Sequence, residues 1–200
     1  MTAAVPPNSD IVKGFTPVGT MSGGDYHGKL RRVSFATGDG TACFIGDLVK
    51  LTANADAAGT TPVIAQSGVG DICVGVLVSL EVDTTDEGSL SAANYRLAST
   101  LRYGQVAWGS DVLYSIQEDS AGNSMPITDA GTNCDVIIAA GNTTTGMSGM
   151  ELDSTTAATT NTLALRLHHV ENKVGNAIGD NANWIVSINL SDDRATLGVS

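Results

Sequence analysis

Gly23-Gly24-Asp25-Tyr26-His27-Gly28-Lys29 reproduces the Gly-x4-Gly-Lys frame in which backbone amides cradle phosphates and a lysine reaches the outer ones. The match ends at the next residue. Leu30 stands where a Ser or Thr would ligate magnesium, and Arg31-Arg32-Val33-Ser34-Phe35 continues as a strand where a phosphate loop opens a helix. Asn54, Asp56 and Gly59 begin like a calcium loop, yet Ala58 and Ala65 occupy two ligand positions. His168 and His169 are adjacent, so a strand points them to opposite faces; His169 and Glu171 share a face but lack a third zinc ligand. Gly146-Met147-Ser148-Gly149-Met150 approximates a nucleophile elbow with its second glycine displaced. The carboxylates Asp83, Asp86 and Glu87, then Glu118 and Asp119, then Asp192 and Asp193 are the types a glycosidase pairs, but they read as solvated turn residues. These patterns predict no catalytic residue, cofactor or metal ligand.

What remains is a cluster of charge. Lys29, Arg31 and Arg32 form the one dense basic group of the chain, which either pairs with internal carboxylates or docks an acidic patch on a partner. With Lys13, Met147 and Met150 they are the residues predicted to contact a partner.

The elements that must position these residues are β-type. Period-2 patterning and apolar runs predict strands over 29–36, 42–51, 62–66, 72–82, 101–108, 112–117, 134–139, 162–170 and 184–190. Turn clusters such as Thr37-Gly38-Asp39-Gly40 and Ala121-Gly122-Asn123 lie between them. Leu163, Leu165, Leu167 and His169 fall on one face of their strand, and Trp184, Val186, Ile188 and Leu190 form a similar stripe. The run from Ile72 to Leu80 is apolar on both faces except at Ser79, which predicts a central strand covered on both sides. A helical turn is allowed between Glu87 and Ala98. The Thr- and Ala-rich stretch 142–161 reads as a long exposed loop, or as a hairpin reaching another subunit. Residues 1–13, with Pro6 and Pro7, read as an extended N-terminal arm that either frays or ties onto a partner. The predicted fold is a single all-β domain over 14–200, barrel-like or jelly-roll-like.

Composition narrows the partners. Of the 200 residues only 16% are charged and 4% aromatic, with 23 glycines among many Thr, Ala, Ser and Asn, which suits a surface-covering module more than a free catalytic monomer. The net charge of -11 argues against nucleic acid and against an acidic membrane surface. No stretch approaches the roughly 20 apolar residues of a membrane span, and Met1 to Asp10 lacks the basic and apolar regions of a signal peptide, which predicts cytosolic synthesis. Cys43, Cys73 and Cys134 are odd in number, far apart and set in apolar runs, so buried free thiols are expected.

Several phrases together resemble the cement or decoration proteins that bind over the major capsid lattice of tailed bacteriophages. They are Gly14-Phe15-Thr16-Pro17-Val18-Gly19-Thr20, Gly40-Thr41-Ala42-Cys43-Phe44-Ile45-Gly46-Asp47, Tyr95-Arg96-Leu97-Ala98-Ser99-Thr100, Tyr114-Ser115-Ile116-Gln117-Glu118-Asp119, Gly149-Met150-Glu151-Leu152-Asp153-Ser154 and Trp184-Ile185-Val186-Ser187-Ile188-Asn189-Leu190. The resemblance is one of style and order and carries no catalytic residues. It implies a β-rich, non-enzymatic homo-oligomer on the outer surface of the virion, clamping neighbouring capsid subunits. Trimers at threefold positions are favoured, then dimers. The alternative expectation is a receptor- or carbohydrate-binding β-module of a phage fibre or head knob.

Overall fold

The computed structural model describes residues 8–82, 94–121 and 124–194. Twelve strands run in chain order: β1 Thr16–Thr20, β2 Leu30–Phe35, β3 Leu48–Ala55, β4 Pro62–Gln66, β5 Gly75–Leu80, β6 Arg102–Trp108, β7 Val112–Gln117, β8 Asn133–Cys134, β9 Val136–Ile137, β10 Glu151–Leu152, β11 Leu165–Val170 and β12 Asn183–Ile188. β2, β4, β3, β5 and β6 close in that order into a barrel, while β1, β7, β12, β11 and β8 form an antiparallel sheet. The fold is all-β and contains a barrel, as the alternation predicts.

Period-2 geometry explains how one chain fills two cores. Val49, Leu77 and Val106 point into the barrel with Val33, Phe35 and Ile64. Their neighbours Leu48, Val76 and Ala107 point the other way and join Tyr114, Trp184, Val186 and Ile188 between barrel and sheet. Both faces of β3, β5 and β6 are therefore covered where they cross, which is why Ile72–Leu80 reads apolar on both faces. β5 and β6 approach closely there: a Cβ on Gly75 would lie 2.0 Å from the Ala107 carbonyl oxygen, so only glycine fits. The Tyr114 hydroxyl donates to that same carbonyl at 2.9 Å, and Phe15 meets the Tyr114 ring edge-on.

Three expectations change. First, 142–161 is exposed only at 142–145, at Thr155 and at 158–161, while every second residue from Gly146 to Ser154 is buried. Asn142 to Met147 closes as a tight turn, β10 pairs with β9, and Asn133 bridges Ala158. Met150 and Leu152 are fully buried, and the Leu48 N–H points at the Met150 sulfur at 3.2 Å. Met150 is therefore a core residue and not a partner contact. Second, the part of the arm that is described lies on its own domain. Asn8 donates to the carbonyls of Ala177, Gly179 and Asp180 and accepts from the Ala177 N–H, while the Ile11 N–H donates to Gln117. Residues 1–7 of the predicted arm fall outside the described residues. Third, a bulge between Leu167 and His169 breaks the stripe of β11, leaving His169 exposed and His168 half-buried against Ser187. Of the allowed helical turn, 87–93 lies outside the described residues, and 94–98 is not helical.

Cys43, Cys73 and Cys134 are unpaired and fully buried. Burial pushes the Cys73 thiol up to about 12 and raises Cys43 and Cys134 as well. A thiol reagent at pH 8 should therefore leave the native protein unlabelled and modify all three cysteines in denaturant. Labelling of the native protein on the same timescale would contradict the burial.

Candidate functional site

β2 carries the basic cluster because its first half runs along the outside of the barrel, beyond the point where the interior needs apolar residues. Its pairing with β6 sets Arg31 opposite Val106 and Arg32 opposite Gln105, and alternation sends the two guanidinium groups to different faces. Arg31 lies over Trp108 with its guanidinium carbon 4.3 Å from the ring centroid, and Arg32 lies over Tyr103 at 4.0 Å. Arg32 also holds both oxygens of Glu81 at 2.7 and 2.8 Å. That bond keeps the Glu81 carboxyl below its ordinary value and the guanidinium above its own. Lys29 pairs with Asp111 at 2.5 Å. Among the described residues Arg31 forms no ion pair, although the chain is strongly acidic.

The β3–β4 hairpin borders this ridge. Its tip is tied by Asp56, whose Oδ1 accepts from the N–H groups of Thr60 and Thr61 and whose Oδ2 accepts from the Tyr103 hydroxyl at 3.3 Å. Those donors hold the Asp56 carboxyl below its usual range. The apparent calcium loop is thus a hairpin turn, with Gly59 at φ +70°. The apparent phosphate loop is a turn as well: Gly23 and Gly28 take positive φ, and Lys29 is engaged by Asp111. Among the described residues no group of three or more His, Cys, Asp and Glu side chains is placed to hold a metal ion. None of their helices is long and apolar enough to cross a membrane.

The six residues singled out from sequence do not make one patch. Lys29, Arg31 and Arg32 adjoin one another at the start of β2, with Arg31 over Trp108 on one face of the strand and Arg32 over Tyr103 on the other. Lys13 lies apart, lining a cleft of about 260 Å³ with Ile11, Gln117, Lys173 and Asn176. Met147 is half-buried and bridges Ile45, and Met150 is in the core. Sequence reasoning missed Trp108, Tyr103, Glu81 and Asp111. The apolar character of the 101–108 run marks a strand, but nothing in it tells which strand lies beside it.

The arrangement offers two flat cations held on aromatic rings, one of them, Arg31, outside any ion pair among the described residues and lining a cleft with Leu51 and Pro62. Comparisons with protein-family models, with curated proteins and with solved structures gave no match.

Proposed function

We propose that this chain is a non-enzymatic structural protein that binds the outer surface of a viral capsid lattice and stabilises contacts between major capsid subunits, acting as a homo-oligomer with trimers favoured over dimers. The observation that carries the reading is the Arg31–Arg32 ridge stacked on Trp108 and Tyr103. Stacking removes much of the rotamer freedom of each arginine before any partner arrives, so less entropy is lost on docking. The rest of the chain is acidic, which favours acceptance of an acidic surface at this place only. Many identical copies on a lattice would multiply a weak single contact. The arginines also cover the ring faces that a sugar would stack on, which favours the lattice reading over the carbohydrate-binding one.

The test is decoration of undecorated capsids. Arg31→Glu combined with Arg32→Glu should lower occupancy at least about tenfold near 50 mM salt and by less near 300 mM, where screening already weakens the parent. Circular dichroism should keep the parent's β signature, because both side chains are exposed and loss of the solvent-exposed Arg32–Glu81 pair costs at most about 1 kcal/mol. Equal decoration by parent and variant at low salt would overturn the proposal.

A further inference from the structure

We propose that the barrel has an open seam beside β2 that accepts an extended acidic segment of a partner as an added strand. This deepens the surface-binding reading above and rests on it for the identity of the partner. β2 pairs with β6 from Leu30 to Phe35, but with β4 only at Ser34 and Phe35. Leu30 to Val33 therefore have no strand on their other side among the described residues.

The cause is local chemistry. Continuing the parallel ladder past Ser34 would need a backbone donor at residue 62, and Pro62 has none. Upstream of it, Thr61 turns away from β2: its carbonyl accepts from the Asp56 N–H at 2.8 Å and its own N–H goes to the Asp56 side chain. The register of β3 against β4 shifts between Leu51 and Ala55, splaying the hairpin. Between hairpin and β2 lies a cleft of about 700 Å³, lined by Arg31, Leu51, Thr52, Asn54, Thr61 and Pro62.

The edge is correctly disposed to pair. The Trp108 N–H donates to the Lys29 carbonyl across the β2–β6 ladder at 3.2 Å. In an antiparallel ladder alternate residues face the same neighbour, so Arg31 and Val33 are committed to β6 while Leu30 and Arg32 present N–H and C=O to the open side. An unpaired edge of this kind is a template for strand addition.

Charge selects the occupant. Arg31 lines the cleft without an ion-pair partner, so an incoming carboxylate gains an arginine that no internal acid holds. A second copy of this chain fits poorly, because antiparallel pairing of two β2 edges would set Arg31 and Arg32 against the same residues of the copy. Nucleic acid is disfavoured by the net charge of -11.

The probe is a synthetic peptide of about eight residues that alternates Val or Thr with Glu, titrated into the full chain and followed by amide NMR and hydrogen exchange. Binding should slow exchange at the Leu30 and Arg32 amides. Lys in place of Glu, or N-methylation of alternate peptide amides, should abolish it. Arg31→Glu should weaken it at least about tenfold, with unchanged circular dichroism. The idea fails if the N-methylated peptide binds as well as the parent peptide, if the acidic peptide does not bind at millimolar concentration, or if Leu30 and Arg32 become protected by self-association instead. Capsid decoration separates the two proposals. Peptide binding without any effect of Arg31→Glu on decoration sinks the lattice reading and keeps the seam, whereas lost decoration without peptide binding sinks the seam alone.

Discussion

Replacing Arg96 with methionine should lower the melting temperature by roughly 10 °C or more, although no partner or surface is touched. Arg96 is fully buried, and its guanidinium donates to the carbonyls of Ala36, Thr41 and Thr100 and to the Asp39 carboxylate at 3.2 Å. Its backbone exchanges hydrogen bonds with Cys43, and the guanidinium carbon stands 5.3 Å from the Phe35 ring centroid. One residue thus ties two separate stretches, at 36–43 and 94–100, to the barrel core. Methionine keeps the volume but leaves three carbonyls and a carboxylate without their donor. Breaking a buried pair in this way costs about 3–5 kcal/mol. For a chain of this size each kcal/mol shifts the midpoint by roughly 2–4 °C. Lysine should rescue only partly, since one ammonium lacks the fork that spans these acceptors. A methionine variant that melts within about 2 °C of the parent would mean that the loop is held by other contacts, the stack of Phe44 on Tyr95 first among them.

Arg96 also marks the limit of what the sequence discloses. Tyr95-Arg96-Leu97 carries no local pattern that says its arginine will be the largest charged group buried among the described residues. Strands disclose themselves where one face meets the core. Pro62–Gln66 and Val112–Gln117 fall where alternation and turn residues place them. The 42–51 prediction slides to Leu48–Ala55 because Asp47 turns back to accept from the Phe44 N–H and Gly46 takes φ +96°, so the chain wraps before it extends. The stretch 142–161 hides its buried residues because, although burial alternates from Gly146 to Ser154, the buried positions are filled by Gly146, Ser148, Met150, Leu152 and Ser154, of which only Met150 and Leu152 are large and apolar. At the ridge, Lys29, Arg31 and Arg32 are legible as a cluster of charge, whereas their aromatic floor is set by the β2–β6 register, a long-range pairing.

A second large effect lies with pH and Glu118. This side chain is fully buried; its Oε2 accepts from the Trp184 indole N–H and the Met125 N–H, each at 3.1 Å, while its Oε1 has no partner among the described residues. Burial outweighs the two donors and lifts the carboxyl from 4.5 to about 7. The unfolded chain releases this proton near pH 4.5 and the folded chain near 7, so in between the folded state binds more protons and stability falls as pH rises. The full contribution is present below pH 4.5 and gone above about 7. At about 1.4 kcal/mol per pH unit the loss is roughly 3 kcal/mol. Asp47 and Glu151, both raised by burial, act in the same sense, while Asp56, Asp71, Glu81 and Asp193 are lowered and lose their contributions only in more acidic solution. Glu118→Gln keeps an acceptor for Trp184 and Met125 and cannot ionise. It should therefore melt roughly 5–10 °C above the parent at pH 8, nearly coincide with it at pH 4, and show a flatter stability profile between those values. Glu118→Ala, which removes the acceptor, should be less stable than Glu118→Gln at every pH. If the glutamine variant keeps the parent's slope between pH 4.5 and 7, Glu118 does not govern that window. The same measurement at pH 8 would then point to Asp47, whose Oδ1 is also buried without a partner among the described residues.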